Sequence, residues 1–351
     1  MKFAVDCRFF EKSGIGTYIE NIVDELVENH PENEYLIIVD KKIPKYQGKE
    51  YIKMLVTKIK PFSFMELVSF PLQEINQCDA FFSPYINIPG RIRVPVFSTI
   101  HDVIFWDVPE LSSPFGRWIR SLFVRRAIKM STSLFTVSNY SKERICYHFK
   151  TSKRIIVVHN SIARKLKEYP IKCEEKENTI VFVGNIKEHK GLKVLLEAYH
   201  KAKELGCKDK MVIIGNGDNF RTKDKMVMDL LENQDDIVFT GFLPDEQMYK
   251  TISHAKVLVL PSKYEGFGIP PMEALYLGTN TIVSDIPVLK EIYGELPVTF
   301  FKSCDVNDLK DKLLEDYPKL DIYDVRKQID EKYNINNQVN LLLNVIKSNI
   351  S

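Results

Sequence analysis

Two glutamates with seven residues between them, Glu265 and Glu273, enclose the most informative segment of this sequence. The segment follows the apolar run Val257–Leu260, which predicts a buried strand, and open α/β sheets bind ligands at the carboxyl ends of their strands. Gly266 and Gly268 allow the backbone to approach a ligand closely. Two prolines then predict the first turn of a helix, whose free N–H groups attract phosphate or sugar oxygens. Either acid alone would also fit a helix cap, so the predicted ligand site depends on the whole segment.

A lysine in an earlier strand-to-helix loop adds a positive charge. The run Thr179–Val183 predicts a strand, and Gly184, Asn185 and Lys190 follow it before a helical pattern begins. The compact ammonium group of a lysine acts as a point charge that binds an anionic group. His189 beside it offers a hydrogen bond, although a histidine in such a loop is more often a surface residue.

Glycine turns follow two further predicted strands in this half of the chain. Gly215 follows the first of them, and Gly241 follows the second with Phe242 and Leu243 directly behind it. Such turns are common in α/β proteins, so each one alone fits an ordinary strand-to-helix connection equally well.

The first half of the chain begins with a similar turn. Gly14, Gly16 and Tyr18 follow the first predicted strand, and residue 19 is isoleucine. A dinucleotide-binding loop would need its third glycine there, so the pattern argues against a dehydrogenase.

Polar residues also follow two later strands of the first half. His101 and Asp102 come after the run Val96–Thr99, and this position at a strand's carboxyl end favours a site role for His101. Ser138 ends another predicted strand and either lines the site or caps the next helix.

Short apolar runs alternate with helical patterns along the whole chain, which predicts two α/β units with parallel sheets. The predicted strands are Lys2–Asp6, Tyr35–Asp40, Ala80–Ser83, Val96–Thr99, Leu134–Ser138, Ile155–Val158, Thr179–Val183, Met211–Ile214, Ile237–Thr240, Val257–Leu260 and Thr281–Ser284. A charged stretch at 164–178 is the predicted linker, which gives domains at 1–168 and 169–335. The last helix, at about 336–351, follows the second unit's strands and has the option of packing back on the first.

The segment containing Glu265 and Glu273 resembles the paired-glutamate motif of the large retaining glycosyltransferase family 4, and the resemblance covers nearly the whole chain. It implies the GT-B architecture, in which two Rossmann-like domains face a central cleft, with the acceptor bound by the first and the donor by the second. By this resemblance, Glu273 holds the donor ribose and Glu265 the transferred sugar. Lys190 neutralises the diphosphate, and His101 contacts the sugar from the acceptor side.

The resemblance also assigns the other residues at the predicted strand ends. The implied donor-binding residues are Gly16, Gly184, Asn185, Gly215, Gly241, Phe242, Leu243, Gly266, Phe267, Gly268 and Ile269, and the implied acceptor-side residues are Gly14, Tyr18, Asp102 and Ser138. Many relatives carry an arginine near the lysine, whereas this chain has Asn185 and His189 at the candidate positions.

The implied reaction moves a hexose or deoxyhexose from a nucleoside diphosphate sugar to an acceptor hydroxyl and keeps the anomeric configuration. The resemblance implies no metal and no cofactor besides the donor substrate. The acceptor would be a saccharide or a lipid-linked saccharide, in bacterial surface polysaccharide (capsule or O-antigen) synthesis, and no nucleic acid is expected as a partner. Two alternatives stay open: a phosphorylase or epimerase on the same fold, and a non-catalytic partner subunit, which the missing arginine favours.

The charge is uneven along the chain. Residues 1–170 carry 25 Lys and Arg against 18 Asp and Glu, whereas residues 171–351 carry 24 against 29. The basic first half fits an anionic partner such as a membrane surface, and an ordinarily solvated surface fits equally well. The basic, aromatic helix predicted at Phe115–Met130 is of the kind that lies on anionic membranes. Its stripe of Ile119, Phe123 and Ala127 instead favours packing against a core.

The composition is that of a globular protein, with 351 residues of which 44% are hydrophobic and 27% charged. No apolar stretch has the length of a membrane span, and the first residues lack the apolar region of a signal peptide. The six cysteines have no metal-ligand or redox spacing. We therefore expect a cytoplasmic protein with reduced thiols, with peripheral contact to the cytoplasmic membrane face as a further option.

Overall fold

The computed structural model describes residues 1–10, 13–170, 175–215 and 235–350. The chain divides into two compact units, one made of Met1–Arg164 with Tyr333–Ser351 and the other of Lys165–Lys332. The sequence predicts a boundary at 168/169, and the division of the structure lies at 164/165.

The first unit contains one parallel sheet of seven strands in the order β3-β2-β1-β4-β5-β6-β7. Its strands are β1 (Lys2–Asp6), β2 (Glu34–Val39), β3 (Ile52–Val56), β4 (Ala80–Ser83), β5 (Val96–Thr99), β6 (Ser133–Thr136) and β7 (Ile155–Val157). Its helices before the division are α1 (Ser13–Asn29), α2 (Phe64–Val68), α3 (Leu72–Ile75), α4 (Ile104–Asp107), α5 (Pro114–Met130) and α6 (Asn139–Phe149), and the short α7 (Arg164–Lys167) spans the division itself.

The second unit contains one parallel sheet of six strands in the order β10-β9-β8-β11-β12-β13. Its strands are β8 (Glu177–Val183), β9 (Lys210–Ile214), β10 (Ile237–Gly241), β11 (Ala255–Leu260), β12 (Asn280–Ser284) and β13 (Thr299–Phe301). Its described helices are α8 (Leu192–Glu204), α9 (Asp245–His254), α10 (Pro270–Tyr276), α11 (Pro287–Tyr293), α12 (Val306–Leu314) and α13 (Ile322–Lys332).

Each sheet reverses its strand order at one point. In the first unit β1 pairs with both β2 and β4, and in the second unit β8 pairs with both β9 and β11. Chain connections leave such a strand pair in opposite directions, which opens a crevice at the carboxyl ends where ligands bind. The crevice of the second unit therefore lies beyond the ends of β8 and β11, from which Lys190 and Glu265 follow.

The last helix belongs to the first unit. It is α14 (Ile335–Lys347), and its Asn336 side chain donates a hydrogen bond of 2.8 Å to Glu25 on α1. Gln338 accepts a 2.8 Å bond from the backbone of His159 after β7. The helix thus returns to the first unit, which is one of the two placements that the sequence left open.

The predicted strands are all present among the described residues, and the structure adds two that the sequence did not predict. Both β3 and β13 lie at the edge of a sheet. Lys53 of β3 is exposed, so this strand lacks the continuous apolar run of a strand buried on both faces. β13 has only three residues, and two of them are only partly buried.

The described part of the chain has no helix that is both long and apolar enough to cross a membrane. The five cysteines in it are free thiols. The sixth, Cys173, lies outside the described residues.

Candidate active site

Glu265 and Lys190 meet beyond the crevice of the second sheet. The Lys190 ammonium donates to both carboxylate oxygens of Glu265, at 2.7 and 2.9 Å. The Ser262 hydroxyl donates a third hydrogen bond of 2.7 Å to the same carboxylate. Glu265 is 9% exposed and Lys190 is 23% exposed at the side chain, so the pair is shielded from bulk water on the carboxylate side and open on the lysine side.

The two loops that carry this pair are locked together through their backbones. The amide of Lys263 donates a 2.7 Å hydrogen bond to the carbonyl of His189. Gly191, the residue directly before α8, has a φ of +71°, and a Cβ atom there would stand 1.9 Å from the carbonyl oxygen of Pro261. Only glycine fits both requirements. The Lys190–Glu265 geometry is therefore fixed by the loop backbones as well as by the side chains.

Three of the predicted glycines lie at the carboxyl ends of neighbouring strands in the second sheet. The amide of Gly184, after β8, donates to the Ile214 carbonyl at 2.9 Å, and the amide of Gly215, after β9, donates to Gly241 at 3.0 Å. A Cβ atom on Gly215 would lie 2.0 Å from the Gly184 carbonyl oxygen. Residues without side chains thus leave the carboxyl ends of β8, β9 and β10 open to a ligand. Asn216–Asp218, the rest of the predicted turn, lie outside the described residues.

A tyrosine hydroxyl binds the backbone of the glycine-containing turn before α10. The buried Tyr293 hydroxyl donates to the Gly268 carbonyl and accepts a 3.2 Å hydrogen bond from the Met272 amide. Phe267 is buried, whereas Gly266 and Ile269 are partly exposed. The turn therefore presents its backbone and holds its aromatic side chain inside.

Glu273 lies in the first turn of α10 and is buried. Burial raises its pKa from 4.5 to about 7, and the nearby negative charge of Asp245 acts in the same direction. A carboxylate that is held where the fold disfavours its charge is a frequent mark of a binding or catalytic group. Hydroxyl donors from a ligand would stabilise the ionised form.

His189, for which the sequence favours an ordinary surface position, is partly buried beside Lys190. Its Nδ1 atom is buried and has no hydrogen-bond partner among the described residues. Burial and the adjacent Lys190 lower its pKa from 6.5 to about 4, so the ring is neutral at pH 7 and offers one N–H. A buried polar atom without a partner is uncommon and is satisfied when a ligand supplies the partner.

The remaining predicted donor residues lie at the rim of the second unit. Asn185 is exposed, Leu243 is half-buried, and Phe242 is 81% exposed. A phenylalanine ring this exposed is free to stack against a flat ligand.

In the first unit the structure brings Tyr18 and His101 together. Their rings meet edge to face with centroids 4.8 Å apart. The Tyr18 hydroxyl lies 3.1 Å from the Thr99 hydroxyl, and His101 Nε2 lies 2.8 Å from the Pro84 carbonyl. Burial lowers the pKa of His101 to about 4, so the ring is neutral at pH 7 and Nε2 is its donor to Pro84.

Two predicted acceptor-side residues have local structural partners. The Asp102 carboxylate accepts a 3.1 Å hydrogen bond from the Ile104 amide at the start of α4. Ser138 is buried and caps α6 by accepting from the Ser141 amide at 3.1 Å, which is the capping role that the sequence left open. Gly14 is exposed and Gly16 is buried within α1.

The chain is similar in sequence to known glycosyltransferases. Residues 165–321, within the second unit, match the family model described as glycosyl transferases group 1. The chain is 25% identical, over 95% of its length and 94% of the relative's, to an uncharacterised glycosyltransferase of Methanocaldococcus jannaschii. It is 32% identical to the O-antigen chain mannosyltransferase of Salmonella typhimurium over 55% of this chain and 53% of that one.

Two solved structures have the same fold over their whole length. Sucrose-phosphate synthase from Thermosynechococcus elongatus superposes with a TM-score of 0.75 at 14% identity, covering 99% of this chain and 98% of that one. The Anabaena protein HepE, solved in complex with UDP and glucose, gives 0.73 at 13% identity and covers 99% and 100%. These likenesses confirm the GT-B fold class that the sequence predicted. The second unit thus matches the group 1 glycosyltransferase model, and the chain as a whole has the GT-B fold.

Proposed function

We propose that this chain transfers a hexose or deoxyhexose from a nucleoside diphosphate sugar to an acceptor hydroxyl and retains the anomeric configuration. The observation that carries the proposal is the Lys190–Glu265 pair, which lies beyond the strand-order reversal of the second sheet beside the edge formed by Gly184, Gly215 and Gly241. A cation for the diphosphate, a carboxylate for sugar hydroxyls and an open backbone edge for the nucleotide lie together there.

In this proposal the protein contributes mainly electrostatic stabilisation. Lys190 leaves Glu265 in part and neutralises the charge that grows on the departing diphosphate. Glu265, still held by Ser262, accepts hydrogen bonds from hydroxyls of the transferred sugar and orients it. Glu273 accepts from the ribose, and Phe242 stacks on the base. His101 and Tyr18 serve the acceptor side.

The acceptor and pathway are proposed from the relatives' names. A relative named as an O-antigen chain mannosyltransferase favours mannose as the sugar and surface polysaccharide as the product. The partners would be the nucleotide sugar and a saccharide or lipid-linked saccharide, and the protein would work in the cytoplasm at the membrane face. We propose no cofactor and no metal. The described residues contain no group of three His, Cys, Asp or Glu arranged to hold an ion.

Retention and metal independence are tested by analysing the product. The anomeric proton coupling of the purified glycoside should match that of the donor sugar, and turnover should persist in excess EDTA. An inverted product, or loss of turnover in EDTA that is restored by a divalent ion, would contradict the proposal. Product formed without any acceptor, or only with inorganic phosphate, would indicate an epimerase or a phosphorylase instead.

Replacing Glu265 by alanine should abolish transfer and spare the fold. We expect kcat to fall by about a thousandfold, because the sugar loses its orienting carboxylate and Lys190 loses the partner that positions it. Ser262→Ala, which removes one of the three hydrogen bonds to Glu265, serves as a graded control and should cost about tenfold. The checks are initial rates and the circular dichroism spectrum, and an unfolded Glu265→Ala protein would mean that the carboxylate is structural.

Replacing His189 by phenylalanine should weaken donor binding without destabilising the protein. The variant keeps the ring shape but removes the buried nitrogen that has no partner among the described residues. We expect the Kd for the donor nucleotide to rise about tenfold, since one hydrogen bond to phosphate is lost. Calorimetric titration together with the melting temperature distinguishes the alternatives: an unchanged Kd with a lower melting temperature would assign His189 to packing.

A further inference from the structure

The first unit carries a group of large apolar side chains that face solvent. We call it the aromatic patch, and it consists of Phe62, Phe64, Met65, Val68, Phe115, Trp118 and Leu122. Phe64 is 74% exposed, Phe115 is 69% exposed and Trp118 is 58% exposed. Single exposed apolar residues are ordinary on protein surfaces, whereas a contiguous group marks an interaction surface.

The patch is one surface although it comes from two segments of the chain. Phe62, before α2, meets Phe123 of α5 edge to face with ring centroids 5.3 Å apart. Both helices also pack on the loop after β4: the Gly90 amide donates to the Glu66 carbonyl on α2, and Arg126 of α5 donates to the Pro89 carbonyl. The loop therefore holds the two segments side by side.

Helix α2 is inverted relative to an ordinary surface helix. Its charged residue, Glu66, is 1% exposed, while Phe64, Met65 and Val68 point to solvent. The Glu66 carboxylate pairs with the buried Arg8 guanidinium, which also binds Asp6 at 2.9 Å. A surface helix normally places its charges outward and its apolar residues inward. The buried ion pair thus fixes α2 with its apolar side outward.

Helix α5 has two distinct faces. Val124 and Ala127 are buried, which agrees with the predicted packing stripe for Ala127. Phe115, Trp118 and Leu122 lie three and four residues apart on another face and are exposed, and this face continues to Arg125 and Lys129. One face of this helix therefore packs against the core, and another faces solvent.

The exposed charges of α5 and those beside α2 are basic. Residues 113–130 contain five Arg or Lys and no Asp or Glu. Lys58 and Lys60 are exposed beside α2, and its one acid, Glu66, is buried against Arg8. Aromatic and aliphatic side chains bordered by basic residues are the composition that binds at the headgroup boundary of an anionic bilayer.

We propose that the aromatic patch docks on an anionic lipid bilayer, with Phe64, Phe115 and Trp118 entering the headgroup boundary and the surrounding lysines and arginines binding lipid phosphates. The patch would be the place where the protein contacts the membrane. That the membrane is the cytoplasmic one rests on the proposed function. The patch involves residues of the first unit alone, so it is tested apart from donor chemistry.

The test is co-sedimentation of the full chain with phosphatidylcholine vesicles that contain or lack phosphatidylglycerol, in low and high salt. We expect binding only to the anionic vesicles, weaker binding in high salt, and a blue shift of tryptophan emission as Trp118 leaves water. Equal binding to both vesicles, or to neither, would overturn the proposal.

Two pairs of substitutions locate the contact. Phe64→Ser/Trp118→Ser and Lys60→Glu/Arg117→Glu should each lower vesicle partitioning by about tenfold or more. The controls are Leu205→Ser/Tyr323→Ser, whose side chains are 63% and 76% exposed on the second unit, and the charge-matched Lys250→Glu/Lys319→Glu. These controls should bind vesicles like the unaltered chain.

Calorimetric donor binding without vesicles separates this proposal from the proposed function. Loss of vesicle binding in the patch variants with unchanged donor affinity supports the surface. Unchanged vesicle binding in the patch variants would overturn the proposal in favour of another lipid contact. A higher mass of the unaltered protein in sedimentation, lost in the patch variants, would overturn it in favour of a second copy of the chain.

Discussion

We expect Lys190→Ala to lower kcat/KM for transfer by about a thousandfold. Lys190 contacts both oxygens of Glu265, so its removal takes away the charge proposed for the diphosphate and the group that positions the sugar-binding carboxylate. One substitution removes both functions, so the expected loss in kcat/KM is at the upper end of the range for removing a single electrostatic group. Steady-state rates at varied donor concentration measure it.

Two control variants separate charge from fold. Lys193→Ala removes an exposed lysine three residues away at the start of α8 and should leave the rate unchanged. Lys190→Arg keeps the charge but replaces a compact ammonium by a planar fork, so we expect an intermediate loss. Glu265 keeps its bond to Ser262, and we expect Lys190→Ala to cost about 1–3 kcal/mol of stability from the unpaired carboxylate. A folded Lys190→Ala protein with near-normal rates would remove the lysine from the mechanism.

We expect Glu273→Gln to make the protein more stable at pH 8 and a poorer binder of the donor. The fold raises the pKa of Glu273 from 4.5 to about 7, so the folded protein holds this proton more tightly than the unfolded chain does. Stability from this group is therefore highest below pH 4.5, falls as the pH rises to about 7, and stays low above it. The difference corresponds to about 3 kcal/mol.

The glutamine variant has no charge to bury, so it avoids the cost of ionising residue 273 in the folded protein at high pH. Its free energy of unfolding at pH 8 should exceed that of the unaltered protein by ~3 kcal/mol. This difference should vanish near pH 4.5. Donor affinity should fall by about tenfold to a hundredfold, because a neutral amide replaces a charged acceptor for ribose hydroxyls. Glu295→Gln, at an exposed carboxylate paired with Lys332, should show neither effect on donor binding nor a gain in stability. A destabilised Glu273→Gln protein with normal affinity would assign Glu273 to the structure of α10.

The sequence predicts that Lys190 and Glu265 lie at one end of a sheet, because sheet topology places them there. Lys190 and Glu265 each follow a strand with a continuous apolar run, and parallel strands bring their carboxyl ends to one edge. Their direct contact could not be predicted, because it joins residues 75 apart and depends on the Lys263–His189 backbone bond. His189 was undervalued for the same reason, since its burial is created by tertiary packing.

The inverted helix α2 shows where sequence patterns fail. Phe64, Met65 and Val68 around Glu66 would suggest an apolar face turned inward. The outcome is reversed because Arg8, 58 residues earlier, is itself buried beside Asp6 and draws Glu66 inside. A local pattern contains no information about such a distant charge. The edge strand β3 escapes prediction because its residues are only partly buried or exposed, so its sequence lacks a continuous apolar run.

The central claim is that this chain releases a nucleotide from a sugar donor by transferring the sugar. The most direct measurement is nucleotide release by the purified protein from UDP-, GDP-, dTDP- and CMP-sugars, with and without a lipid-linked saccharide acceptor, beside Glu265→Ala. The account predicts release from one donor, dependent on the acceptor and lost in the variant. Release that is equal in Glu265→Ala, or none from any donor with a folded protein and the acceptor present, would contradict it.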